Sequence, residues 1–79
     1  MKTFRLKAIL MDYDTNELFV EGGLKAVRKE SERSYTNHEF VDVTFDTKAE
    51  RDAFIMALNM MEESGLGYFA ILHNRCEPF

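Results

Sequence analysis

Apolar and polar residues alternate at the start of the chain. Phe4, Leu6, Ala8 and Leu10 fall on one side of an extended backbone, and Arg5, Lys7, Ile9, Met11 and Tyr13 on the other. A period of two predicts a strand over 3–13. The second side begins charged and ends apolar. Asp14, Thr15 and Asn16 have turn chemistry, because short polar side chains bond their own backbone. Leu18 and Val20, opposite Phe19, then predict a second strand over 17–21, so that residues 3–21 form a hairpin. Gly22 and Gly23 interrupt the pattern as a bulge, a bend or a strand end. Residues 24–29 fit either a continuation of that strand or a short helix. Residues 30–37 are polar and read as a loop or a long hairpin tip. Residues 38–45 read as a third strand, with Val41, Val43 and Phe45 facing inward.

The period then changes. Thr47 precedes a helical run and Glu50 follows three residues later, a capping box in which each side chain satisfies an orphan backbone N–H. Over 48–63, Ala49, Ala53, Phe54, Met56, Ala57, Leu58, Met60 and Met61 span an arc of about 200° at helical spacing. The helix is expected to pack through Ala53, Phe54, Ala57, Leu58 and Met61. Gly65 suits the left-handed residue that ends a helix, and Gly67 releases the chain into a fourth strand over 68–74, followed by a tail over 75–79.

The element order β-β-β-α-β predicts a single α+β domain over 1–79. Three sequential strands form an antiparallel meander, and one helix crosses one face to return the fourth strand parallel to the third. One helix covers only one face. The other would carry Ile9, Met11, Tyr13 and Phe19, with Phe40 and Phe69 as further members, and the arc of the helix is wider than one face requires. This apolar surplus favours a homodimer.

Composition narrows the function. A chain of 79 residues builds a small core. The single cysteine excludes an internal disulfide and, with no apolar run behind a basic start, points to a reducing, cytoplasmic setting without a secretory signal. No stretch is long and apolar enough for a membrane helix. A net charge of −4 makes nucleic acid an unlikely partner, because phosphate contacts need clustered Lys and Arg.

Candidate chemistry is sparse. Asp12, Asp14 and Asn16 match the first three ligand positions of a calcium loop, but Glu17 stands where glycine is required and Gly23 where a bidentate glutamate belongs. His38 and Glu39 begin like a zinc-protease motif, yet Asp42 replaces the second histidine. Cys76 has no neighbouring base in the sequence. Gly65 and Gly67 follow a helix, whereas phosphate loops precede one. No cofactor or metal is expected, and no enzyme. Size, acidity and the lack of catalytic groups suit a protein-binding module of the kind used by phages and mobile elements to inhibit host proteins. A self-associating domain or a nucleic-acid accessory protein is the alternative. The expected partner-binding residues are Asp12, Tyr13, Asp14, Glu17, Phe19 and Glu21, where carboxylates steer toward a basic protein surface and aromatics anchor it.

Overall fold

A computed structural model describes residues 2–78. The order is β1 (Lys2–Met11), α1 (Tyr13–Arg33), β2 (His38–Phe45), α2 (Lys48–Glu63) and β3 (Tyr68–Pro78). The class is α+β, with a three-stranded antiparallel sheet in the order β2-β1-β3. The expected hairpin, meander and fourth strand are absent from the described residues. Residues 13–33 are helical, and the last strand pairs antiparallel with β1 instead of parallel with β2.

The reason lies at Asp12. Its backbone is extended and its side chain accepts a hydrogen bond from the Thr15 N–H at 2.9 Å, which makes it a helix N-cap. Thr15, Leu18 and Phe19 then turn toward the sheet at helical spacing. The same Asx chemistry that opens a turn here opens a helix. α1 bends at Gly23, whose φ of 71° and ψ of −166° are non-helical and accessible to glycine alone among ordinary residues. Beyond the bend, Leu24 and Val27 rejoin the cluster of Ile9 and Met11, together with Ala70 and Leu72.

β1 is central, and Ala8 and Ile9, consecutive along it, are both fully buried. Neighbouring side chains of a strand point to opposite faces, so both faces of β1 are covered. α1 covers the Ile9–Met11 face. α2 covers the other, where Phe45 and Phe54 meet with ring centroids 5.5 Å apart. This reduces the apolar surplus expected on the second sheet face: Tyr13 is not on the sheet, Phe19 packs onto that face from α1, and Phe69 lies opposite Leu10 on the α2 face, whereas Phe40, opposite Ile9, stays 41% exposed.

α2 agrees with its expected limits. The Thr47 hydroxyl accepts from the Glu50 N–H at 3.1 Å and donates to the Glu50 carboxylate at 2.9 Å. At the far end Gly65 has φ 76°, and the N–H groups of Gly65 and Leu66 reach the carbonyls of Glu62 and Met61. Its packing face is rotated from the expected one. Phe54, Leu58 and Met61 face inward with Ile55, whereas Ala53 and Ala57 are exposed. Arg51 also turns inward. Its guanidinium lies 5.3 Å from the centre of the Phe4 ring and donates to Asn74 at 2.9 Å. β3 takes in most of the expected tail, since residues 75–78 continue the pairing with β1 past an irregularity opposite Lys7 and Ala8. Phe79 lies outside the described residues. Among the described residues, no helix is long and apolar enough to cross a membrane.

Candidate functional site

The six residues expected to bind a partner divide by the geometry of α1. Asp12 is occupied as the N-cap, and the Thr15 N–H holds its carboxyl pKa below the usual value. Phe19 is half-buried in the core cluster. The remaining four, Tyr13, Asp14, Glu17 and Glu21, lie exposed on the outer side of the first half of the helix. At 100° per residue they span roughly 100°, and Val20 falls beside them. Val20 is missing from the expected set although the signal for it is visible, since 13, 17 and 20 follow helical spacing.

This surface pairs apolar groups with carboxylates. Tyr13 is 60% exposed and Val20 75%. The Tyr13 ring meets Tyr68 edge-on at 6.0 Å, which anchors it to the start of β3. The Glu17 carboxylate, one turn along, holds the Tyr13 pKa above its ordinary value. The acids also have a local cause. Asp14 sits in the first turn and Arg33 in the last, each at the end of α1 that the helix dipole favours for its charge.

Among the described residues, clefts open beside the sheet and inside the bend of α1. One of about 150 Å³ is lined by Arg5, Lys7, His73, Arg75 and Glu77 on the end of the sheet that α1 leaves open. Arg5 stands directly opposite Arg75, and Lys7 opposite His73. Arg5 is engaged by Asp42 through two hydrogen bonds of 3.1 and 2.9 Å, which lower the Asp42 pKa and raise that of Arg5. Arg5, Lys7 and Arg75 against Asp42 and Glu77 leave a net charge of only +1 (3 − 2). A second cleft, about 240 Å³, lies between the ends of β1 and β3 and includes Asp12, His38, Glu39 and Gly67. The third, about 450 Å³, lies inside the bend of α1 among Asp14, Leu18, Glu30 and Tyr35.

In the third cleft, the Ser34 hydroxyl donates to the Glu30 carboxylate at 2.8 Å, and the Thr36 hydroxyl lies 2.9 Å from His38 Nδ1. Cys76 is exposed on β3 and pairs in register with Phe4. His38 and His73 sit on opposite edge strands, paired with Met11 and Lys7 of β1 respectively. Among the described residues, no group of three His, Cys, Asp or Glu is placed to hold a metal ion. No known protein family, curated protein or solved structure matches this chain.

Proposed function

We propose that this chain is a non-enzymatic protein-binding module that docks a basic protein surface through the outer face of α1. The observation that carries this reading is the juxtaposition of Tyr13 and Val20, both largely exposed, with the carboxylates of Asp14, Glu17 and Glu21. An aromatic ring ringed by charge is the usual composition of an interface centre, with the apolar group buried on contact and the carboxylates guiding approach. The edge contact with Tyr68 restricts the Tyr13 ring beforehand, so little side-chain freedom is lost on binding. Such a module acts by occupying its partner's surface, the mode of an inhibitor. The sheet cleft beside Arg5 and Arg75 supports a nucleic-acid role less well, since a net +1 there supplies too few free cations for a phosphate backbone.

The test begins by capturing a partner and measuring binding kinetics to it. Asp14→Asn, Glu17→Gln and Glu21→Gln together are expected to slow association about three- to tenfold at low salt, with the difference vanishing in high salt. Tyr13→Ala is expected to speed dissociation about tenfold or more. A partner that binds both variants like wild type shows that this face of α1 is not the interface.

A further inference from the structure

α2 presents apolar side chains on two opposite sides. Phe54, Leu58 and Met61 meet the sheet, and Leu58 is buried. Ala49, Ala53, Met56 and Met60 point the other way and are all exposed, with Met56 at 64% and Met60 at 61%. At 100° per residue these four lie within about 60° of one another, centred opposite Leu58. Their spacing of four, three and four residues is the seam of a paired helix. Among the described residues, nothing else covers this stripe.

We infer that a second copy of this chain covers it, with the two α2 helices antiparallel across a twofold axis. Size and charge both select that arrangement. A twofold axis between Ala53 and Met56 sets Ala53 against Met56 of the second copy, and Ala49 against Met60, so that each small residue faces a large one. Parallel pairing would set methionine against methionine and alanine against alanine. The ends of the helix differ in charge: the first turn holds Lys48 and Glu50, which balance, whereas Glu62 and Glu63 close the helix and the last turn holds no base. The antiparallel arrangement brings Lys48 within a turn of Glu62 and Glu63 of the second copy, twice per dimer, where parallel pairing would juxtapose like charges. It also relieves a conflict within each chain. Glu62 and Glu63 stand at the negative end of their own helix dipole, and the positive end of the neighbouring helix would lie beside them.

Sixteen residues make a helix about 24 Å long, so this contact falls short of a standard interface and belongs to the small, weakly associating class. α1 lies on the other face of the sheet, so the dimer carries two copies of its outer surface pointing away from the seam. The inference is independent of the function proposed for that surface.

Sedimentation equilibrium from about 5 to about 300 μM tests it, a span suited to weak association. The average mass is expected to rise toward twice that of the monomer. Met56→Glu should abolish the rise with an unchanged circular dichroism spectrum, because the side chain is exposed in the monomer. Lys48→Glu should raise the dissociation constant about tenfold. Adding Glu62→Lys and Glu63→Lys to Lys48→Glu should restore it. A monomer throughout the range, a dimer that survives Met56→Glu, or a charge reversal that fails to rescue would each overturn the antiparallel α2 seam.

Discussion

Val20 and Val27 lie seven residues apart in α1, a separation that places two residues on nearly the same side of a straight helix. The structure gives them opposite fates: Val20 is 75% exposed and Val27 fully buried. The bend at Gly23 accounts for the difference by rephasing the second half of the helix. Replacing each valine by alanine converts this into energies. The gain in helix propensity, about 0.5 kcal/mol, is common to both and cancels in the comparison. At Val27 two fully buried methyl groups are lost, about 1.6 kcal/mol of transfer energy, and the cavity left behind adds up to about 1 kcal/mol. At Val20 only a quarter of the side chain is covered, so the loss is about 0.4 kcal/mol, which the propensity gain offsets. Val27→Ala should therefore cost about 1–2 kcal/mol and Val20→Ala close to nothing. For a domain of this size the melting temperatures of the two variants should differ by roughly 4–16 °C. Thermal unfolding followed by circular dichroism reads this directly. Equal shifts for the two variants, or a larger loss at Val20, would refute the bent helix.

Two further outcomes follow from backbone and cap. Gly23→Ala should cost about 1–3 kcal/mol in urea unfolding, because only glycine adopts that backbone conformation without strain; a neutral result would mean that the bend relaxes. Folding lowers the Asp12 pKa, so the stabilisation from its ionised cap is fully present above the ordinary carboxyl value of 3.8 and is lost as pH falls through the depressed one. Asp12→Asn keeps a capping oxygen without the titration, so its urea midpoint should fall less than that of wild type between pH 5 and about 2. Asp42 titrates in both proteins and drops out of the comparison; parallel pH curves would show that Asp12 carries no linked proton.

The elements with uninterrupted periodicity were legible from residue order alone. β1 alternates over Phe4–Ala8 and β2 over Val41–Phe45, and α2 carries a cap at each end. α1 was not legible, for a physical reason. Phe19 and Val20 favour extended backbone, and the double glycine breaks the helical phase that Thr15, Leu18 and Phe19 begin. Reading residues 17–21 as a strand also misplaced the acidic surface: Asp14, Glu17 and Glu21 lie along a helix that Asp12 caps, rather than in a hairpin. Arg51 shows a second limit. Charge alone assigns it to solvent, but a guanidinium with an aromatic face and an amide oxygen to meet can lie under a helix. The order of strands in a sheet is a long-range choice, and nothing local in Tyr68–Asn74 distinguishes pairing with β1 from pairing with β2.

The placement of β1 between two strands that come later in the chain governs how this protein folds in time. The first strand waits, unpaired on one edge, for the last: Thr3 donates to the carbonyl of Glu77, a separation of 74 residues. Closing a loop of that length costs entropy before any contact across it is gained. Two-state folding at this size with such distant pairings falls in the slow millisecond-to-second range rather than the microseconds of helical bundles. During synthesis β1 and β2 can meet early, but Ile9 and Met11 keep an open flank until β3 arrives. In that interval the free edge of β1 is a template for another chain, so the window for misassembly is set by the delay before β3 docks and shortens with faster elongation.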